Sequence, residues 1–296
     1  FGLDWTIAAL VGVALAPTDP AAVYAVLRGT GGRVVRARTI LEAESGFNDP
    51  VGISLMVAVL AYVGPEHAGV GGGFTRFVQE LGIGAAMGIA AGLVLIWVLR
   101  ATKGVPDDLQ GIGFLVAAIA IGAATATLHG SGFLAVYISG LLVSDAWREQ
   151  DGSRHVATEG AAAIAEPLLF GMLGAAFASS VGWTELGYGV GLILALSLVV
   201  RPIVAFTGTI GTGLNMGERR LVAWGGLKGA VPLLLAAYPA LEALDGASDV
   251  QGIVLVATAG SILLQGATLA AVARSAVGAR AGSRAPDGER ATARPG

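Results

Sequence analysis

The sequence predicts an all-α membrane protein that crosses the bilayer several times. Hydrophobic residues fill 54% of the 296 positions and charged residues only 13%, about half the charged share of ordinary globular domains. Apolar stretches of about 20 residues, the length that spans a bilayer as a helix, recur along the chain. The 46 glycines agree with this class, because membrane helices pack closely through small residues.

Nine apolar segments are predicted to span the membrane, and the basic residues between them predict an orientation. Fifteen of the 18 Lys and Arg residues fall in alternate connections or in the C-terminal tail, and only Arg76 falls on the other side. Since basic residues collect on the cytoplasmic side, we expect a cytoplasmic C-terminus. The predicted spans are residues 3–28, 39–63, 76–100, 108–128, 131–146, 160–180, 185–209, 219–240 and 251–273.

Composition also predicts the domain organisation and excludes several functions. Residues 1–273 are predicted to form one membrane domain, and residues 274–296, rich in Gly, Pro and Arg, a disordered tail. The formal net charge of −3 indicates no nucleic-acid partner. Without cysteine, disulfides and thiolate-ligated metals are excluded, and we expect no cofactor. Because the chain starts inside an apolar run without Met, we expect a fragment that lacks earlier helices.

Seven ionisable residues fall inside predicted spans, where a charge is costly and indicates a functional site. Asp19, Asp49 and Arg201 each stand directly before a proline. Because proline cannot donate to the carbonyl four residues earlier, we expect a local helix break beside each. The other four are Glu42, Glu44, Glu166, which also precedes a proline, and Lys228.

The stretch APTDPAAV predicts an unwound segment with a cation site. Its two prolines, Pro17 and Pro20, are expected to leave the carbonyls of Val13 and Ala16 without helical donors. Irregular backbone is tolerated in the membrane only against protein or a water-filled cavity. Unwound carbonyls beside Asp19 would provide hard oxygen ligands for a small cation. A simple proline kink, with Asp19 as a helix cap, is the alternative.

The stretch LEAESGFNDP places polar groups on two faces of one helix. If this helix starts near residue 39, Asp49 lies near the middle of the bilayer. Ser45 and Asp49 are spaced i, i+4 on one face, and Glu44 and Asn48 on another. An unpaired Glu44 would be costly, so we expect an ion pair with Arg201.

The remaining charges in the spans have simpler alternatives. Lys228 lies beside a Gly-rich break closed by Pro232; it is a possible functional charge, or else a lysine that reaches the inner interface. Glu42 is expected to be an interfacial charge in the first turn of its helix. Glu166 is expected to be a structural acid at a helix start.

Four segments in order along residues 1–273 resemble the CPA1 group of monovalent cation:proton antiporters, and most closely its bacterial potassium/proton branch. They are APTDPAAVYAVLRG, LEAESGFNDP, GSGFLAVYISGLL and ERRLVAWGGLKGAVPLLLAAYP. The resemblance implies a sodium/proton-antiporter fold of inverted repeats, in which two broken helices cross at the ion site. The breaks would lie around Thr18–Pro20 and Gly225–Pro232. About four further helices would precede this chain, as in that family.

The resemblance also implies roles for individual residues. Asp49 would bind cation or proton in turn, and Asp19, the backbone of Thr18 and the hydroxyl of Ser45 would complete the ligands of the monovalent cation. Glu44 would pair with Arg201, and Asn48 would accompany electroneutral exchange. Lys228 departs from the family, in which Arg is usual at this position. The group is bacterial and mostly dimeric, so we expect a homodimer in the inner (plasma) membrane.

We therefore expect a secondary transporter, not an enzyme, that exchanges K⁺ or Na⁺ for protons. A carboxylate in a narrow, dehydrated cavity is costly unless it binds a cation or a proton, so the two would compete for Asp49. Three alternatives remain: a cation channel, an inactive fragment, and an intramembrane hydrolase with Asp19 and Asp49 as a dyad.

Overall fold

The computed structural model describes residues 2–19, 23, 35–64, 69–101, 107–148 and 156–282. Within these ranges all regular secondary structure is helical. In the described part of the chain, twelve α-helices follow one another. They are α1 Trp5–Ala14, α2 Val35–Val63, α3 Gly69–Ala101, α4 Asp107–Thr127, α5 Gly132–Arg148, α6 Val156–Phe177, α7 Trp183–Ala195, α8 Arg201–Gly208, α9 Met216–Trp224, α10 Ala230–Leu241, α11 Ala247–Ser261 and α12 Ala267–Gly282.

The helices confirm a polytopic membrane protein. Five described segments are long and apolar enough to cross a bilayer: 35–63, 69–101, 109–127, 183–208 and 247–276. Shorter apolar helices occupy 5–14, 132–144, 164–180 and 230–241. The count of nine spans stays a prediction.

Two stretches of irregular backbone in the described residues, here called the first and the second break, meet each other. Helix α1 ends at Ala14, and the chain is irregular from there to Asp19. Helices α9 and α10 are separated by the irregular residues 225–229. The N–H of Asp19 donates to the carbonyl of Leu227 at 2.8 Å, which ties the two breaks together where they cross.

Among the described residues, buried apolar side chains form two clusters, one on either side of this crossing. The first joins α1 and the second half of α2 to α7, α10 and α11, and includes Leu10, Met56 and Ile253. The second joins the first half of α2 to α8, α9 and α12, and includes Leu41 and Leu221. Helix α2 contributes to both clusters and so connects the two halves of the protein.

Helices α3 and α5 pack at close range through small residues. Gly84, Gly88 and Gly92 recur every four residues on α3 and so form one stripe. A Cβ built on Gly88 would lie 2.8 Å from the carbonyl oxygen of Ala135 on α5. Only a glycine therefore permits this separation of the helices, as expected for packing inside a membrane.

Of the three local breaks expected beside Asp19, Asp49 and Arg201, the structure has irregular backbone at two and not at the third. At Asp19 the backbone is irregular. Directly before Arg201 the helix contains a π-helical turn of five residues, Leu196–Val200. Helix α2, by contrast, runs through Pro50 without interruption, so the break expected beside Asp49 is wrong. Neighbouring helices can support a membrane helix that has lost one hydrogen bond to proline.

Other boundaries differ from the expectations. Helix α2 begins at Val35, so the exposed Glu42 lies in its third turn and not its first. Glu166 lies in the middle of α6 and not at a helix start. Helix α12 continues to Gly282. The division at residue 273 stays a prediction, and residues 283–296 lie outside the described residues, as do Pro20, Arg28 and Arg33.

Candidate ion-binding site

The first break is held against α2 by hydrogen bonds to Thr18. The Asn48 amide donates to the Thr18 hydroxyl at 2.8 Å, and the Thr18 N–H donates to the Asn48 amide oxygen at 3.4 Å. The Ser45 hydroxyl donates to the Thr18 carbonyl. Because all three side chains are at most partly accessible, these bonds fix the unwound segment without help from bulk water.

The carbonyl of Val13 has a donor, contrary to expectation. The N–H of Ala16 reaches it at 3.2 Å, in the tighter i to i−3 pattern that often closes a helix end. At the first break, the backbone carbonyls that accept from side chains are those of Pro17 and Thr18. Each accepts from a side chain on another element.

The second break is held by Lys228, whose side chain is only 7% exposed. Its ammonium donates to the carbonyl of Pro17 at 3.1 Å, and its backbone N–H donates to the Ser261 hydroxyl at 3.0 Å. Lys228 therefore joins the two breaks and does not extend to an interface. Pro232 lies in the first turn of α10, a position where proline is tolerated.

A cavity of about 170 Å³ lies where the two breaks meet α2 and α6. Thr18, Asp19, Asp49 and Glu166 line it together with the first turn of α10. The Oδ1 atom of Asp49 is buried and has no hydrogen-bond partner among the described residues. A carboxylate oxygen of this kind can accept a cation or a proton.

Asp49 sits at the centre of α2, fourteen residues from either end, which corresponds to about 21 Å of helix on each side. It therefore lies at mid-membrane depth if α2 spans the bilayer. Asp19 lies at the N-terminus of α10, where a Cβ built on Gly229 would be 2.6 Å from Asp19 Oδ2. The positive end of a helix dipole stabilises a negative charge there.

The predicted residues thus fall into two groups. Thr18, Asp19 and Asp49 line the cavity, whereas Ser45 and Asn48 hold Thr18 in place from α2. Ser45 and the Thr18 carbonyl, both expected as ion ligands, are hydrogen-bonded to each other.

Glu44 and Arg201 are in contact, away from the cavity. The guanidinium donates to both carboxylate oxygens, one of them at 2.9 Å, and also to the Val222 carbonyl at 3.1 Å. The two side chains keep 29% and 12% of their surface exposed, respectively. This pair joins α2, α8 and α9 on the side of the crossing occupied by the second apolar cluster.

Sequence reasoning missed Glu166 as a residue of this cavity. It lines the same cavity as Asp19. The available signal was an acid before proline within an apolar run, the same signal that singled out Asp19 and Asp49. The error came from placing the residue at a helix start, where an acid has an ordinary structural explanation.

The chemistry of this cavity suits a hard cation held by few ligands. Carboxylate and hydroxyl oxygens face it, and oxygen is the ligand that hard cations prefer. Among the described side chains, no three His, Asp or Glu groups lie close enough to hold one metal ion. A cation would thus bind to fewer than three carboxylates, together with neighbouring oxygens.

Comparison with known proteins gives a consistent result. The family model described as sodium/hydrogen exchanger, transmembrane, matches residues 1–275. A K⁺/H⁺ antiporter NhaP2 of Shewanella sp. (strain MR-4) is 30% identical over 279 residues, which are 93% of this chain and 48% of the relative. A Na⁺/H⁺ antiporter NhaH of Halobacillus aidingensis is 29% identical over 269 residues, 86% of this chain and 65% of the relative.

A solved structure shares the fold. The sodium proton antiporter MjNhaP1 from Methanocaldococcus jannaschii superimposes with a TM-score of 0.77 at 23% identity, over 95% of this chain and 72% of that one. The chain spans about half the length of the NhaP2 relative.

Proposed function

Because this chain belongs to the sodium/hydrogen exchanger family, we propose that it forms the ion-exchanging part of a secondary transporter that exchanges a monovalent cation for protons. The observation that carries the proposal is the buried, unpartnered oxygen of Asp49 at a cavity between two broken helices. Such breaks are where secondary transporters bind ions, near the midplane of the membrane.

Exchange follows from competition for the Asp49 carboxylate. Burial makes the bare anion unfavourable, so the group carries either a proton or a cation. Asp19 lies at the same cavity and is stabilised as an anion by the N-terminus of α10. It adds a second negative group to the cation site. Rocking of the two halves about the crossing would then expose the loaded site to either side in turn.

The substrate class is a monovalent cation, K⁺ or Na⁺. Relatives named as K⁺/H⁺ and as Na⁺/H⁺ antiporters both align with this chain, and both ions take oxygen ligands. We place the protein in the inner (plasma) membrane with its C-terminus in the cytoplasm, on the distribution of basic residues. A homodimer is the proposed assembly. The exchange requires no covalent chemistry on a substrate.

Asp49→Asn tests the proposal. The amide cannot carry the alternating charge, so we expect cation/proton exchange to be abolished in the full-length protein. The measurement is the change of internal pH in proteoliposomes after a pulse of Na⁺ or K⁺. Asp245→Asn, in an exposed turn between α10 and α11, is the matched control and should exchange at the wild-type rate. Wild-type exchange by the Asp49 variant would contradict the proposal.

A further inference from the structure

Two buried polar side chains that the proposed mechanism does not use contact the second break. Ser261 is the last residue of α11, and Gln265 lies in the π-helical turn Ile262–Gly266 that joins α11 to α12. Their side chains are 0% and 1% exposed, respectively. Burying a polar side chain is costly unless hydrogen bonds satisfy it, so the partners of this pair indicate its role.

The two side chains form a series of hydrogen bonds that spans the second break. The Ser261 hydroxyl accepts from the Lys228 N–H at 3.0 Å and donates to the Gln265 side-chain oxygen at 2.7 Å. The Gln265 amide nitrogen donates to the Trp224 carbonyl at 3.1 Å. Trp224 is the last residue of α9, and Lys228 lies two residues before α10. The pair therefore ties both ends of the break to one turn of a third helix.

The pair satisfies backbone groups that the break leaves without a helical partner. The last carbonyls of a helix have no donor within that helix, and the Trp224 carbonyl is one of them. In the core of a bilayer no water is present to replace such a bond. The orientation of the Gln265 amide is determined as well, because its oxygen faces a hydroxyl donor and its nitrogen faces a carbonyl acceptor.

The position of the second break in turn determines the position of Asp19. The Lys228 ammonium donates to the Pro17 carbonyl at 3.1 Å, and the Leu227 carbonyl accepts from the Asp19 N–H at 2.8 Å. Asp49 is carried separately, by the uninterrupted helix α2. A shift of the second break would therefore move Asp19 relative to Asp49.

We infer that Ser261 and Gln265 are positioning residues of the exchange site, which hold the second break in the arrangement that brings Asp19 and Asp49 to one cavity. This inference rests on the proposed exchange function. Neither side chain is among the described residues that line the cavity, so the pair acts through the backbone of the break and not as an ion ligand. Its place at a π-helical turn fits this role, since such turns are frequent at functional sites.

The apparent KM of exchange tests this role. Ser261→Ala and Gln265→Leu each remove part of the series of bonds, so that only a fraction of the molecules would keep the break in place and bind the cation. We expect KM for Na⁺ or K⁺ to rise about tenfold, the effect of one unsatisfied buried group, with little change in kcat per folded protein. Exchange in proteoliposomes gives both constants, and size-exclusion chromatography gives the amount of folded protein. A loss of stability alone would lower that amount and leave KM unchanged.

Thr258→Val, on the same helix as Ser261, is the matched control. The Thr258 hydroxyl is buried and has no hydrogen-bond partner among the described residues, so this variant removes a buried hydroxyl without removing a bond. It should exchange cations with the wild-type KM. Ser261→Ala is the smaller of the two test substitutions and decides the question if Gln265→Leu does not fold. A wild-type KM in Ser261→Ala would overturn the inference, even though Asp49→Asn still abolished exchange.

A second measurement does not depend on transport. Hydrogen exchange of the purified full-length protein in detergent, read by mass spectrometry, should be faster at the Asp19 amide in Ser261→Ala than in the wild type or Thr258→Val. This amide is bonded to Leu227 and not to the substituted residue, so its exchange reports the position of the break. Unchanged exchange at Asp19 would show that the pair does not position it. If the wild type exchanged no cations, the proposed function would fail, while this measurement would still decide whether the pair holds the break in place.

Discussion

At the scale of single residues, a few buried charges connect helices that are distant in the sequence. Arg201 on α8 donates to Glu44 on α2 and to the Val222 carbonyl on α9. Lys228 reaches the Pro17 carbonyl across 211 positions of sequence. Because a buried charge without a partner is costly, each contact stabilises one arrangement of helices over alternatives that would leave the charge unpaired.

Removing either member of the Glu44–Arg201 pair should destabilise the protein. The cost is about 3 kcal/mol, near the low end for a buried pair because Glu44 is partly accessible. Glu44→Ala and Arg201→Ala should both lower the melting temperature in detergent, and the double variant should recover part of the loss. Glu42→Ala, two residues away and exposed, should melt like the wild type. Strictly additive losses would show that the two charges do not interact.

At the scale of helices, the way each one is interrupted or packed decides its role. The breaks next to Asp19 and Lys228 expose backbone at the cavity, whereas α2 stays helical through Pro50 and presents Asp49 from a rigid element. Helices α3 and α5 have a packing role, since the glycines of α3 let the two backbones come close together. Close packing of this kind holds α3 and α5 together.

Gly88→Ala should destabilise the contact of α3 with α5. The added methyl group would meet the Ala135 backbone at 2.8 Å, and overpacking of this kind costs about 1–3 kcal/mol. Thermal unfolding in detergent measures the effect. Gly82→Ala on the same helix is the control, because its Cβ would have nothing within 4 Å and alanine favours helix by about 1 kcal/mol. Equal melting temperatures for the two variants would contradict the close packing.

At the scale of the whole molecule, two apolar clusters meet at one polar crossing. Helix α2 belongs to both clusters and carries Asp49 between them. Under the proposed function, ion binding at this point would be coupled to a movement of one half against the other.

We expect the exchange to be electroneutral. If Asp49 alone binds the proton and the cation in turn, one proton is exchanged for one monovalent cation. Exchange in proteoliposomes should then not respond to a membrane potential set by an ionophore at fixed ion and pH gradients. A steep response to the potential would show that a second charge moves in each cycle.

The sequence by itself determined the class of protein and most of the polar residues that matter. Long apolar runs have few folding options in a bilayer, because every backbone group must be bonded internally. Charges inside such runs are too costly to be incidental. Asp19, Asp49, Arg201 and Lys228 could therefore be singled out without a structure.

Only the tertiary structure decided which of these groups face the same space. Helical periodicity predicts that Ser45 and Asp49 share one face of α2. In the structure, Ser45 and Asn48 are hydrogen-bonded to Thr18, and of the α2 residues only Asp49 lines the cavity. The same packing brings Glu166 to the cavity that Asp19 lines, from a helix nearly 150 residues further along the chain. Spacing along one helix predicts which side chains share a face. Contacts between helices depend instead on how all the helices pack against one another, and the local sequence of one helix does not encode that packing.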